Sequence, residues 1–295
     1  MILIRKIIKR EENHIVPKRS EAIRLQEYGV GIFSSIPTKS ALKKALKKQY
    51  ITVNERLATT ATFINTGDRI TLNIPEVLSK KKLVLKLKVL FEDDYLAIIH
   101  KPAGILVSGN SFKTITNALS QNLKISTLAD VSTPQPIHRL DFATTGVLLV
   151  GKTNSSIRIL NKLFEYKEIK KTYFAITIGE MKTQGKMTSA IDGKASQSNY
   201  TVCKSVTSKR FGKLNLVQLK PLTGRRHQLR KHLSNIGNPI LGDVTYGREN
   251  LILKGKGLYL HAHSLQFIHP FTNEEVYIKD EFPKQFQKIF PNIIY

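Results

Sequence analysis

The sequence predicts an α+β protein in two parts, a small α/β unit at the front and a larger unit built on a mixed, largely antiparallel sheet. Three observations predict it. Period-2 and unbroken apolar runs, which read as strands, recur along the chain; short helical patterns fall among them without regular strand–helix–strand alternation; Gly, Pro, Asn and Asp clusters separate the two. With 295 residues, of which 41% are hydrophobic, there is ample material for a core.

Residues 1–17 are charged and carry no sustained period, so they read as an N-terminal extension. Residues 18–76 form the small unit. In "KSALKKALKKQY" Ala41, Leu42, Ala45 and Leu46 recur at helical spacing while Lys43, Lys44, Lys47 and Lys48 fall largely elsewhere, which predicts a basic amphipathic helix. "ITVNERLA" follows as strand, turn at Asn54-Glu55 and strand, and "NTGDRITLNI" as a turn and a period-2 strand. The Lys run within 77–84 is the expected linker. The large unit, 85–295, opens with an incoming strand in which Leu85, Leu87 and Val89 alternate with Lys86 and Lys88.

Within the large unit, Tyr95 to Ile99 reads as a buried strand, and Pro102-Ala103-Gly104 as a turn into another strand. "TITNALSQNL" reads as a short helix capped by Thr114 or Thr116. "GVLLVGK" is a buried strand, and "TNSSIRILNKLFEYKEI" a helix with Ile157, Leu160, Leu163 and Phe164 on one face. "KKTYFAITIGE", "NLVQLKPLTG" and "LHAHSLQFIHP" read as strands, and "RRHQLRKHLSNIG" as a helix closed by Gly237. There is no internal repeat or low-complexity tract.

The charge is the strongest compositional signal. The net charge is +25, from 47 Lys and Arg against 22 Asp and Glu, and residues 1–90 hold 19 of those bases against 7 acids. Such a surface attracts polyanions, with nucleic acid as the leading partner. No run approaches the roughly 18 apolar residues of a membrane helix, and charge interrupts "MILIRKIIKREE" too early for a signal peptide, so a cytoplasmic protein is expected. A lone cysteine, Cys203, excludes an internal disulfide and any multi-cysteine zinc site. His261 and His263 would share one face of a strand, but no ligand spacing is completed, so no metal is expected; the absence of a P-loop, dinucleotide fingerprint or Gly-x-Ser-x-Gly points to cofactor-free chemistry or simple binding.

Three segments hold the chemical candidates. His138-Arg139-Leu140-Asp141 precedes a Thr144-Thr145-Gly146 turn, where Asp141 is either a turn residue or a reagent. In "PLTGRRHQLRKHL" Arg226 and Arg230 are spaced to share a helix face; an arginine directed inward needs a carboxylate, and Asp141 is a natural candidate. Tyr173, in Lys171-Thr172-Tyr173, is either plain core or an aromatic platform for a base.

Five ordered matches, "FEDDYLAIIHKPAGILV", "IHRLDFATTGVLLVGKT", "KTYFAITIGE", "PLTGRRHQLRKHLSNIGNPILGDVTYG" and "LHAHSLQFIHP", span about residues 91–270, and with them the chain resembles the RluA-like pseudouridine synthases. The front unit resembles the S4-type RNA-binding domain through "KSALKKALKKQYITVNERLATTATFINTGDRITL", although the usual Arg-Leu-Asp opening of its first helix is not clear at Arg24-Leu25-Gln26. The resemblance implies a pseudouridine synthase fold and isomerisation of a uridine in structured RNA without a cofactor. It makes Asp141 the catalytic aspartate, Arg230 its partner, and Tyr173 the residue that stacks on the uracil, with a further part in proton transfer open. Arg139 matches the residue that enters the RNA helix where the base leaves, with His138, Arg226 and the lysines of the basic helix as further RNA contacts. The family more often has Thr at Arg226, Ile at Leu229 and Ser at Thr145; none of these departures removes a catalytic group. The expected substrate is large-subunit ribosomal RNA, with transfer RNA as the alternative, acted on by a monomer. The rival class is a non-catalytic RNA-binding or ribosome-assembly protein.

Overall fold

A computed structural model describes residues 8–36, 38–75, 83–253 and 255–293. The chain divides into two compact units, Met1–Lys81 and Lys82–Tyr295.

The first unit contains β1 (Ile8–Ile15), β2 (Ile23–Arg24), α1 (Leu25–Tyr28), α2 (Lys39–Lys47), β3 (Ile51–Val53), β4 (Arg56–Leu57), β5 (Phe63–Ile64) and β6 (Arg69–Pro75). The segment expected to be an extension is corrected here. β1 is an edge strand of a four-stranded sheet ordered β1-β6-β3-β4 and pairs antiparallel with β6 from Ile15↔Arg69 onward. Its charges hid it from a search for apolar period; the neighbouring Val16 enters the core with Leu42, Leu46, Ile51 and Ile70. Thr38 caps α2 by accepting the Ala41 N–H at 3.2 Å, and the helix buries Leu42, Ala45 and Leu46 while Lys43, Lys44, Lys47 and Lys48 stay exposed. The β3–β4 turn takes its two positive φ values at Asn54 and Glu55. The linker expected at 77–84 lies outside the described residues except for Leu83 and Val84.

The second unit contains β7 (Val89–Glu92), β8 (Leu96–Lys101), α3 (Ile115–Leu119), β9 (Val131–Pro136), β10 (Thr145–Thr153), α4 (Asn154–Glu165), β11 (Lys170–Ile178), β12 (Gln184–Met187), β13 (Ser198–Ser208), β14 (Gly212–Pro221), α5 (Gln228–Asn235), β15 (Leu260–Ile268), β16 (Glu275–Lys279) and α6 (Lys284–Ile289). Its sheet runs β12-β13-β14-β11-β15-β10-β8-β7, with β9 beside β10 and β16 beside β15. Among the described residues the β10–β15 pairing is parallel and the others are antiparallel, giving the mixed, largely antiparallel sheet expected. One apolar core lies around β8, β10 and α4; a second lies around β11, β14, α5 and α6, and Tyr173 packs against both.

The parallel contact joins the two halves through only Thr145↔His261 and Gly146↔Ala262. Gly146 has φ +117°, and a Cβ there would lie 2.0 Å from the Ala262 carbonyl oxygen, so only glycine fits this joint. Among the described residues, one expected strand is shortened and one is reduced to a bridge. The incoming strand starts only at Val89, in β7, and before it Leu85 and Leu87 are held by the Asn122 side chain, which accepts from Leu87 N and donates to the Leu85 carbonyl, both at 2.8 Å. After Gly104 the chain makes a single bridge, Leu106 to Thr114, before Thr114 caps α3.

Candidate active site

Asp141 lies in the loop between β9 and β10, on the Gly146 joint between the half-sheets. Its two sequence readings prove compatible. The backbone carbonyl closes the turn by accepting from Thr144 N at 3.1 Å, while the carboxylate stays 21% exposed and lines a cavity of about 350 Å³. Arg139, Tyr173, Arg226, His227 and Arg230 line the same cavity, so three segments far apart in sequence converge on one acid.

The loop is held from beneath by Lys101, which sequence reasoning missed. This fully buried side chain, last in β8, donates to the carbonyls of Pro102 at 2.9 Å, Phe142 at 3.3 Å and Thr144 at 2.8 Å. Burial pushes its ammonium down to about 8, with the Asp141 charge acting in the opposite direction. Three carbonyls, one from the segment after β8 and two from the Asp141 loop, thus converge on one cation. The only sequence hint was a lysine closing a buried strand, directly before a Pro-Ala-Gly turn.

Arg230 faces Asp141, with Nη1 3.7 Å from Oδ2, but Asp141 is not its main partner. Nε and Nη2 grip Asp243 in a fork at 2.7 and 2.8 Å, and the Tyr246 ring lies 4.9 Å from the guanidinium carbon. Asp243 Oδ1 also accepts the Thr245 and Tyr246 N–H groups at 3.0 Å. Burial acts to raise the Asp243 carboxyl, but the Arg230 bonds and these backbone donors outweigh it and hold it below the usual range. The expected Asp141–Arg230 pair is therefore one side of a triad in which buried Asp243 fixes the arginine and leaves one edge of the guanidinium for Asp141.

The expected helix face shared by Arg226 and Arg230 is corrected: α5 begins at Gln228, and Arg226 lies exposed in the turn before it. His227, in the left-handed region at φ 55°, blocks helical continuation toward Arg226. Gln228 fixes this turn by accepting from Thr223 Oγ1 at 2.7 Å and Arg225 N at 3.0 Å while donating to the Gln197 carbonyl and Ser198 Oγ. His227 Nε2 comes 3.8 Å from Asp141 Oδ1 and its Nδ1 lies 2.9 Å from Tyr246 Oη. Burial lowers the His227 pKa, the Asp141 charge opposes this, and the Arg230, Arg226 and Lys231 charges add to the lowering. Neither Gln228 nor His227 stood out in the sequence, since their roles come from contacts across the loop.

Tyr173 faces the cavity from β11, and burial followed by the Asp141 charge raises its phenol well above the ordinary value. It is a neutral donor at working pH. His138 lines the same cavity. Its Nε2 accepts the Leu149 N–H at 3.1 Å and its ring stacks on Phe164 with centroids 4.7 Å apart. Burial and then the Lys171 charge push it down to about 3, so it is an uncharged bracket of the loop. Lys43, Lys44, Lys47 and Lys48 belong to the first unit.

His138 gives the stability a defined pH dependence. The unfolded histidine titrates near 6.5 and the folded one near 3, so its contribution is complete above pH 6.5 and is lost as the pH falls toward 3, at about 1.4 kcal/mol per pH unit for one proton. Replacement His138→Gln, whose amide oxygen can accept the same N–H, is expected to flatten the profile of urea-unfolding free energy between pH 7 and 4 by up to that slope. An unchanged slope would show that His138 carries its proton in the folded state.

A family model described as RNA pseudouridylate synthase matches residues 95–235, which include Asp141, Tyr173 and Arg230. The ribosomal large subunit pseudouridine synthase C of Rickettsia bellii is 30% identical over 91% of this chain and 97% of its own length. The chain belongs to the RNA pseudouridine synthase family. The synthase is also 33% identical to the tRNA pseudouridine synthase C of Vibrio vulnificus, over 69% of this chain and 94% of that one. Among solved structures, human RNA pseudouridylate synthase domain containing 4 aligns with a TM-score of 0.55 and 27% identity, over 68% of this chain and 90% of that one. The synthase is thus an isomerase acting on RNA, with the pseudouridine synthase fold in its second unit. Among the described residues no helix is long and apolar enough to cross a membrane.

Proposed function

We propose that this synthase converts a specific uridine of large-subunit ribosomal RNA to pseudouridine, with the target base flipped into the 350 Å³ cavity and Asp141 as the catalytic carboxylate. The observation that carries this reading is the convergence on one cavity of a partly exposed carboxylate, a neutral tyrosine and a guanidinium fixed by a second acid. Isomerisation breaks the bond between ribose carbon and ring nitrogen, turns the base, and forms a bond from the same sugar carbon to a ring carbon. That carbon gives up its proton and the nitrogen gains one, so no oxidant or energy source is consumed. Leaving the stack costs the RNA a few kcal/mol, which backbone contacts with the exposed Arg139 and Arg226 and stacking on Tyr173 can offset.

In this reading the first unit is an S4-like RNA-binding domain whose exposed α2 lysines meet phosphates. The preference for ribosomal RNA rests on chain coverage. The Rickettsia match is too long to fit within residues 82–295 and must include part of the first unit. The Vibrio relative keeps transfer RNA as the second reading. A pseudouridine map of total RNA with and without the gene decides between them. Loss of a site in large-subunit ribosomal RNA is expected; loss only in transfer RNA selects the second reading, and an unchanged map removes both.

A further inference from the structure

A second cavity, of about 440 Å³, opens on the opposite face of β11. Tyr173 lines the catalytic cavity, whereas its chain neighbours Thr172 and Phe174 line this one. Lys171 and Pro221, at the adjoining ends of β11 and β14, line both, so the two cavities meet at that edge of the sheet.

The chemistry of the second cavity is specific. Lys167, Lys170 and Lys220 stand exposed at its wall, and no carboxylate lines it. The Asn199 side-chain oxygen is buried there with no hydrogen-bond partner, and the Gln218 amide lies on the neighbouring strand. Phe174, Pro221 and Leu222 supply apolar wall. Lysines alone suit any anion. A buried acceptor without a protein partner suits a ligand that brings a donor, which a backbone phosphodiester lacks and which a base amino group or a ribose hydroxyl provides. Lysines for phosphate, amides for a base edge and an apolar wall for its face together describe one nucleotide.

We infer that this cavity is a second nucleotide-binding site, taking an unpaired nucleotide that flanks the target uridine in the same RNA strand, which passes over the Lys171–Pro221 edge. The inference rests on the reading of the first cavity as the uridine site. It makes the second cavity a determinant of which uridines are accepted, since the strand must present an unpaired neighbour as well as a target.

The test uses the full-length protein and a fluorescein-labelled hexaribonucleotide of A and C alone, which offers no uridine to the catalytic cavity. Charge reversal at the exposed pair, K170E with K220E, is expected to raise the Kd by about tenfold or more in fluorescence anisotropy. Reversal of two exposed lysines outside the cavity, K204E with K209E, is expected to raise it by less than about threefold, the non-specific share of polyanion attraction. Asn199→Ala, which changes no charge, is expected to raise it by about threefold or more. Equal losses in the two charge variants, or an unchanged Kd in Asn199→Ala, overturn the inference. Adenosine monophosphate is added as competitor. Displacement at millimolar concentration shows a site open to free nucleotides, whereas hexamer binding that resists it but depends on Asn199 assigns the site to the RNA chain; either result supports a nucleotide site. Pseudouridine formation by the wild type, on RNA from cells lacking the gene, is measured alongside. Product without differential binding removes the second site alone, and no product removes the reading of the first.

Discussion

Asp141→Asn is expected to abolish pseudouridine formation, by about a thousandfold or more, while leaving the fold and RNA binding intact. The magnitude corresponds to removing a group that takes direct part in bond making or proton transfer. The variant should fold, because the backbone of Asp141 closes the turn through its carbonyl and the side chain makes only long contacts, 3.7 Å to Arg230 and 3.8 Å to His227. Asparagine keeps the shape and loses the negative charge. The measurements are product formed under single-turnover conditions, the Kd for substrate RNA and the unfolding midpoint. Turnover within about tenfold of wild type would remove Asp141 from the chemistry and assign it to another group of the cavity.

Arg230→Leu is expected to cost both stability and activity, with the stability loss larger than a simple Asp141–Arg230 pair implies. Removing the guanidinium leaves Asp243 buried, at 1% side-chain exposure, without the fork that neutralises it. Breaking one partner of a buried pair costs about 3–5 kcal/mol. Because such a protein can fail to fold, Arg230→Lys serves as the companion variant. It keeps a cation near Asp243 but cannot reproduce two parallel N–H bonds, so it should retain the fold with a lowered unfolding midpoint and reduced product formation. Asp243→Asn should reproduce much of the activity loss while leaving Asp141 untouched. Normal turnover in Asp243→Asn would show that the second acid plays no part in presenting the arginine to the site.

Much of the candidate site was legible in the sequence, because the candidate groups lie in local motifs. Asp141, Tyr173, Arg230 and Arg139 all line the same cavity. The supporting groups were not legible. Lys101 reads as one more lysine in a chain with 47 Lys and Arg, and only burial against three carbonyls gives it a function. Asp243 carries no helical or strand period toward Arg230, thirteen residues away, since the two meet across a turn. His138 shows what the neighbours in sequence do not reveal, although it lines the cavity as well. In sequence it stands beside Arg139 and looks like a second RNA contact, whereas its ring is committed to the Leu149 N–H and Phe164.

The amino-acid sequence by itself determined the type of most elements, since apolar period and capping residues act within a few positions: α2 with its exposed lysines, α4 capped at Thr153, and the buried run of β10. It also determined the polyanion-seeking charge, which is a sum over residues. Tertiary structure alone decided which partners satisfy the buried charges and which charged segments become strands. β1 is a strand because β6 offers it a ladder, Arg230 is fixed because Asp243 reaches it, and Lys101 is tolerated because three carbonyls surround it. The reason is physical: a buried polar group must be paired, but its own neighbours in sequence do not specify with what.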